Sequence, residues 1–324
     1  MASAQRVVVA VDAEDDGGTV DWAAAEAAAR GCGLHVVQVA PPRRAAHIAG
    51  LLPAAGPCSF RDADEELLRR AVGRAAAIAP DLGVTQELLV GPAVPALVAR
   101  AEAAGLLVLS GRRGARGQGL PGRPTSLCAR VAATTGCPVA VIGPLPVWLL
   151  GGAPPRVVVG VDGRGWCSSA LRFAFRAAAQ RAVPVVAVHV WTPDLPADHE
   201  GVCGSPAAAE ALTGALVDRT LAPARRAFPH VPVQVRIIGT NPAEELVRAS
   251  AGAAMVVVGS RARGTLRAGL FGSVGRSVVR RAGCPVVVVG PDRPTPPAPR
   301  REERHTGLRP TRQEPLHPWG TAWE

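Results

Sequence analysis

The chain contains two nearly identical stretches, RVVVAVD at residues 6–12 and RVVVGVD at residues 156–162. A second pair recurs at nearly the same spacing, GCPVAVIGP at 136–144 and GCPVVVVGP at 283–291. The offsets are 150 and 147 residues, the size of one globular domain and far longer than a solenoid repeat. The sequence therefore predicts a duplicated domain with one candidate site in each copy.

Each copy alternates short valine-rich runs with longer segments of helical period, which is typical of a parallel sheet covered by helices on both faces. The predicted strands lie near 6–12, 34–40, 84–90, 106–111 and 138–143, and near 156–162, 184–190, 232–238, 254–259 and 285–289. The predicted helices lie near 18–31, 62–79, 92–104 and 125–135, and near 166–181, 206–227, 242–251 and 272–282. The predicted fold class is α/β, with two tandem doubly wound, Rossmann-like domains of five parallel strands and four helices each.

The predicted domain boundaries follow proline- and glycine-rich segments. We expect domain 1 at residues 1–144, a linker at 145–155 and domain 2 at 156–291. The tail, residues 292–324, is rich in proline and arginine and has almost no aliphatic side chains, so we expect it to remain disordered.

Composition restricts the class of protein. The chain has 36 basic residues, none of them lysine, and a formal net charge of +10, whereas only 3% of its residues are aromatic. The first apolar run, residues 7–11, is too short for a signal or membrane helix. Seven cysteines without a C-x-x-C pair do not predict a disulfide framework or a zinc site. We expect buried structural thiols at Cys137 and Cys284, and a cytoplasmic protein.

Asp12 and Asp162 end the first strand of each copy. Ligands of doubly wound sheets bind beyond the carboxyl ends of the strands, where a carboxylate can accept a hydrogen bond from a ribose hydroxyl or an adenine amine. The alternative is a helix N-cap, because a helix follows shortly after each aspartate. The recurrence of the residue in both copies favours binding.

A glycine- and arginine-rich loop follows the fourth strand of each copy. In the second copy Gly259, Arg261 and Ala262 precede Gly272 and Ser273, which open a helix. Glycine lets main-chain amides approach a phosphate, and a helix N-terminus attracts anions. Six arginines and no acid lie between Gly259 and Arg281, and five arginines and no acid between Gly111 and Arg130. The loops therefore favour an anion site over a merely solvated segment.

The pattern G-x2-G-x9-G-[S/T], joined to V-x-V-D before it and G-C-P-V-V-V-V after it, resembles the universal stress protein family. The resemblance covers residues 5–144 and 155–291. It implies a fold similar to adenine nucleotide α-hydrolases and a bound adenine nucleotide, ATP with or without Mg²⁺. It also implies that the last strands, 138–143 and 285–289, pair about a pseudo-twofold axis within the chain.

The resemblance also implies a set of binding residues. In domain 2 it places Asp162 and Val190 near adenosine, and Val258, Gly259, Ala262, Gly272, Ser273 and Val274 on the phosphate side. The corresponding residues of domain 1 are Asp12, Val39, Ser110, Gly111, Gly114, Pro124, Thr125 and Ser126. Ala262 replaces the family's second glycine, and Pro124 replaces the last glycine of domain 1 and offers no N–H. We therefore expect domain 2 to be the better site.

Three interpretations of function remain open. The first is a nucleotide-binding stress regulator that acts on an unknown protein partner. The second is an ATP-independent interaction scaffold, and the third is a nucleic-acid binder, which the few aromatic residues disfavour. No catalytic motif is present in the sequence, and His35 and His189 are expected to be packed side chains, so any hydrolysis should be slow and incidental. We expect no membrane partner, and further self-association is left open.

Overall fold

The computed structural model describes residues 6–13, 17–40, 60–111, 126–143, 155–162, 167–190, 206–239, 241–260 and 273–291. Most of the predicted linker and the whole predicted tail, 292–324, lie outside the described residues.

Domain 1 contains the strands and helices that the sequence predicts, in the same order. Its strands are β1 (Val7–Val11), β2 (Leu34–Ala40), β3 (Val84–Val90), β4 (Leu106–Ser110) and β5 (Val139–Ile142). Its helices are α1 (Gly18–Ala29), α2 (Phe60–Ile78), α3 (Ala93–Ala101) and α4 (Ser126–Thr134).

Domain 2 repeats this order. Its strands are β6 (Val157–Val161), β7 (Val185–Val190), β8 (Val233–Ile238), β9 (Met255–Gly259) and β10 (Val286–Val289). Its helices are α5 (Ser168–Arg181), α6 (Pro206–Ala227), α7 (Pro242–Ser250) and α8 (Ser273–Arg281). The predicted fold class is confirmed.

The described strands form one ten-stranded sheet in the order β3-β2-β1-β4-β5-β10-β9-β6-β7-β8. Every pairing within a domain is parallel, and the central pairing of β5 with β10 is antiparallel. The sheet therefore continues across the two domains, with β3 and β8 at its edges.

Valine and alanine supply most of the buried interior, as parallel strands covered on both faces require. Val7, Val9 and Val11 of β1 face a cluster built with α1, α2, α5 and α6. Val8, on the opposite face, joins a cluster built with α3, α4, α7 and α8. We call these the first face and the second face of the sheet, and each cluster runs through both domains.

The pairing of β5 with β10 creates a pseudo-twofold axis. Ala140 lies opposite Val287, and Val139 lies opposite Val288. Because the cysteines before these strands repeat at an offset of 147 residues, Ala140 and Val287 are equivalent positions and the axis passes between them. The strands of the two domains consequently run in opposite directions. Measured along the strand direction, the carboxyl ends of domain 1 and those of domain 2 therefore lie on opposite sides of the sheet.

The described cysteines and His189 behave as packed residues. The described cysteines are free and buried, and burial raises the pKa of the Cys137 and Cys284 thiols to about 12. His189 is buried, and its Nδ1 lies 2.9 Å from the carbonyl oxygen of Val161. His35 is only half-buried and contacts the side chains of Thr85 and Glu87 on the edge strand. Among the helices of the described ranges, none is long and apolar enough to cross a membrane.

Candidate functional site

The order of the strands reverses once in each domain, and we call the carboxyl ends of the strands at the reversal the crevice of that domain. In domain 1, α1 and α2 lead outward from β1 to β3, and α3 then returns the chain to β4 on the other side of β1. The first two helices cover the first face, and α3 and α4 cover the second. The reversal therefore lies between β1 and β4, and in domain 2 between β6 and β9. Doubly wound sheets bind ligands at such a position.

The strand register brings the predicted domain 2 residues to this crevice. Val161 pairs with His189 of β7, and Val159 pairs with Val257 of β9. Asp162, the residue after Val161, is therefore level with Val190 of β7. Gly259 ends β9, on the other side of the reversal. Asp162 is half-buried and Gly259 is exposed, so a carboxylate and a bare main chain flank one opening.

Apolar residues line the second-face side of the domain 2 crevice. Val258 is buried at the end of β9, while Val190 and Val274 are partly buried against the same second-face cluster. Ser273, the first residue of α8, is exposed. The arrangement offers an apolar wall for a planar ring, a carboxylate for hydroxyl or amine donors, and a helix N-terminus for an anion.

Domain 1 assembles the equivalent strand ends. Asp12 follows β1 and is exposed, Val39 near the end of β2 is half-buried against the second-face cluster, and Ser110 ends β4. The carbonyl oxygen of Ser110 accepts a hydrogen bond from the Cys128 thiol of α4 at 3.5 Å. The thiol thus joins the first turn of α4 to the strand end, a contact that the sequence pattern did not reveal.

The structure corrects the residue pairing of the two glycine loops at the strand ends. Val9 pairs with Val108 and the equivalent Val159 pairs with Val257, so Ser110 corresponds to Gly259. The N–H of Gly111 donates to the carbonyl of Ile142 at 2.7 Å, as the N–H of Ser260 donates to Val289 at 2.8 Å. Gly111 therefore corresponds to Ser260 and not to Gly259.

The helix starts require a second correction. Ser126 opens α4 and Ser273 opens α8, and the fully buried Val131 and Val278 follow at the same distance. Ser126 is thus the counterpart of Ser273, where the motif had matched Ser273 with Thr125. The segment between strand and helix, 111–125 in domain 1 and 260–272 in domain 2, is two residues longer in domain 1. Counting along the motif could not reveal this insertion.

Gly111 has a packing explanation of its own. A Cβ atom at this position would lie 2.8 Å from Val141 Cγ1 and 3.1 Å from the carbonyl oxygen of Ile142. Glycine is therefore required by the close approach of β5, whether or not a ligand binds nearby.

The arginine run of domain 2 divides between two places. Arg280 and Arg281 occupy the last turn of α8, where a cation interacts favourably with the helix dipole. They lie at the opposite end of α8 from Ser273, so they do not contribute to an anion site at the helix start. Arg276 is exposed on α8 within one turn of Ser273.

The residue before the first helix differs between the domains. Gly17 is the N-cap of α1 with φ 90°, and Cys167 is the N-cap of α5. The pKa of Cys167 is raised to about 11, chiefly by burial; a hydrogen bond to the Asp162 main chain opposes the rise, and the charge and side-chain hydrogen bond of Asp162 add to it. Gly17 and Cys167 each lie five residues after the aspartate of their copy. Aligning the two copies on Asp12 and Asp162 would therefore have singled out Cys167 from the sequence.

In domain 1 the absence of a side chain at Gly17 makes room for Arg74. Arg74 donates to both carboxylate oxygens of Asp21, at 2.5 and 2.6 Å, and its guanidinium lies where a Cβ of Gly17 would be. Beside it lies a cavity of about 240 Å³ on the first face, lined by Val11, Asp12, Val20, Leu67 and Arg74. Asp12 is therefore exposed beside an open cavity with a charged lining, whereas Asp162 is half-buried.

The loop residues of the predicted sites lie outside the described residues. They are Gly114, Pro124 and Thr125 in domain 1, and Arg261, Ala262 and Gly272 in domain 2. Within the described ranges, no group of three or more His, Cys, Asp or Glu side chains is arranged to hold a metal ion.

Comparison with known proteins gives consistent matches. A family model for the universal stress protein family matches residues 3–143 and 155–290. Universal stress protein Rv2005c of Mycobacterium tuberculosis is 35% identical over 291 residues, covering 87% of this chain and 96% of the relative. Universal stress protein Rv2623 of the same organism is 32% identical over 274 residues, covering 83% and 90%.

Solved structures agree at the level of the fold. A universal stress protein from Archaeoglobus fulgidus superposes with a TM-score of 0.61 at 18% identity, covering 89% of this chain and 97% of that chain. A putative universal stress protein from Pseudomonas aeruginosa gives a TM-score of 0.55 at 14% identity, covering 90% and 95%. The two family matches, the relatives and the doubly wound sheet together show that this chain belongs to the universal stress protein family.

Proposed function

We propose that the chain is a stress-response regulator that binds an adenine nucleotide, ATP in the first instance, in the domain 2 crevice. The observation that carries this proposal is the placement of Asp162 and Gly259 on opposite sides of the strand reversal, beside the apolar Val190 and Val258. The carboxylate would accept from the ribose or the adenine amine, and the apolar residues would contact the base. The phosphates would lie against the main chain after β9 and the start of α8.

Binding without fast turnover fits the chemistry of the described residues. His189, near the end of β7 beside this strand end, has its Nδ1 2.9 Å from the Val161 carbonyl, a contact that orients the ring within the sheet. The thiol of Cys167 is buried and protonated at neutral pH. Where Mg²⁺ accompanies the nucleotide, we expect the phosphates to supply most of its ligands.

For domain 1 we propose an interaction role as the second candidate. Gly111, part of the motif that suggested a nucleotide loop there, is explained by the approach of Val141, and Asp12 is exposed beside an open cavity. These observations favour domain 1 as the surface that an unknown protein partner contacts.

Two measurements test the proposal. Mass spectrometry of small molecules released from denatured, freshly purified protein should identify an adenine nucleotide. Titration of ATP, AMP and cyclic AMP into the full chain should then show loss of binding in Gly272→Asp, whose added carboxylate repels phosphate. Thr125→Asp is the matched change in domain 1, because Thr125 precedes Ser126 as Gly272 precedes Ser273, and it should leave that binding intact. Undiminished nucleotide affinity in Gly272→Asp would exclude the domain 2 site.

A further inference from the structure

A buried carboxylate joins the two domains at a place remote from both crevices. Glu26 lies in α1, and its side chain is fully buried. Arg30, four residues later, donates to Glu26 Oε1 at 2.6 Å, and Arg181 of α5 in domain 2 donates to Glu26 Oε2. The guanidinium of Arg181 also donates to the carbonyl of Ala177 at 3.1 Å. We call Glu26, Arg30 and Arg181 the seam cluster.

The two arginines of the seam cluster are equivalent under the pseudo-twofold axis. Helix α1 ends before Gly31 with φ 61°, and α5 ends before Ala182 with φ 51°. When Gly31 is aligned with Ala182, the buried residues of the two helices also coincide. Ala23, Ala24 and Ala27 then align with Ala174, Phe175 and Ala178, in that order. Arg30 therefore corresponds to Arg181. Glu26 corresponds to Ala177, so the two halves of the cluster differ in this one carboxylate.

The Glu26 carboxylate offsets the repulsion between two largely buried arginines. The side chains of Arg30 and Arg181 are 15% and 20% exposed, so water screens their mutual repulsion only partly. Arg30 also lies over the ring of Phe173 in domain 2, with its Cζ atom 5.0 Å from the ring centroid. This cation–π contact holds the positive charge of Arg30 at the junction of the domains.

We propose that Glu26 is a pairing-specificity residue: it makes this surface of domain 1 complementary to domain 2. The axis brings two equivalent arginines together, and Glu26 accepts from both. A pair formed by two copies of domain 2 would bring two Arg181 side chains together with alanine in place of the carboxylate. Glu26 therefore disfavours the pairing of two copies of domain 2, and the tandem chain supplies one domain 1 for each domain 2.

The test uses four forms of the full chain: wild type, Glu26→Ala, Arg181→Ala and the double variant. Glu26→Ala leaves two facing arginines, the charge pattern of a pair of domain 2 copies, and should lower Tm by at least about 5 °C. Removal of Arg181 as well should recover at least half of that decrease in Tm, because the repulsion between the two arginines is gone. The control Asp218→Ala, which breaks an exposed pair with Arg225, should change Tm by less than about 2 °C.

Hydrogen exchange locates the effect. In Glu26→Ala the β5 and β10 amides should exchange at least about tenfold faster together, and the double variant should reverse most of this increase. Strict additivity of the two single losses in Tm would overturn the proposal, because independent residues do not specify a pairing. Unchanged exchange in β10 would overturn it as well. None of these readouts depends on nucleotide binding.

Discussion

Gly111 and Ser260 occupy the same position in the two domains, because each donates its main-chain N–H to the last residue of the neighbouring final strand. Glycine in domain 1 is nevertheless not interchangeable with serine, since Val141 Cγ1 would lie 2.8 Å from an added Cβ. The packing of β4 against β5 is therefore sufficient to explain Gly111, and the evidence for a ligand must come from other residues.

We predict that Gly111→Ala destabilises the protein by about 1–3 kcal/mol, the usual result of forcing a methyl group into a filled space. Gly143→Ala is the matched control, because nothing lies within 4 Å of a Cβ at that position. Urea unfolding of the two variants measures the difference. Equal stability of both variants would show that β5 moves aside at negligible cost.

We predict that stability declines above pH 9 through the buried thiols. Burial raises the pKa of Cys284 from 9.0 to about 12, so the folded state keeps a proton that the unfolded state loses. Stability is therefore retained below pH 9 and is lost as the pH rises from 9 toward 12. The fall between pH 8 and pH 10 should be about 1.4 kcal/mol smaller in Cys284→Ala than in wild type. Parallel pH profiles of wild type and variant would contradict this assignment.

We predict the opposite pH dependence for Glu87 on the edge strand β3. Burial alone would raise its pKa, but hydrogen bonds from Arg100 and from His35 outweigh it, and the pKa falls below 4.5. The stability from this carboxylate is present above pH 4.5 and is lost as the pH falls through the lowered value. Glu87→Gln should therefore lower Tm at pH 7 and have little effect at pH 3. An equal change at both pH values would show that charge plays no part.

The sequence alone predicted the elements of this fold well, because valine runs and helical segments alternate without ambiguity. The repeats RVVVAVD and RVVVGVD located the strands that carry Asp12 and Asp162, and the resemblance implied the antiparallel pairing of β5 with β10. Each of these features depends on local pattern, which a duplicated chain displays twice.

The pairing of the two loops could not be predicted, because it depends on strand register and not on spacing along the chain. The motif matched Ser273 with Thr125, whereas the helix starts match Ser273 with Ser126. The seam cluster also escaped prediction. Glu26 and Arg181 are far apart in sequence, and their contact arises only when α1 and α5 meet across the axis.

We propose that an adenine nucleotide binds beside Asp162. Calorimetric titration of ATP into nucleotide-free wild type, Asp162→Ala and Asp12→Ala tests it most directly. We predict that Asp162→Ala weakens ATP binding at least about tenfold, which is the loss of about 1.4 kcal/mol expected for a charge-assisted hydrogen bond. Asp12→Ala should leave the affinity of this site within about twofold. Equal affinity of Asp162→Ala and wild type would contradict the account.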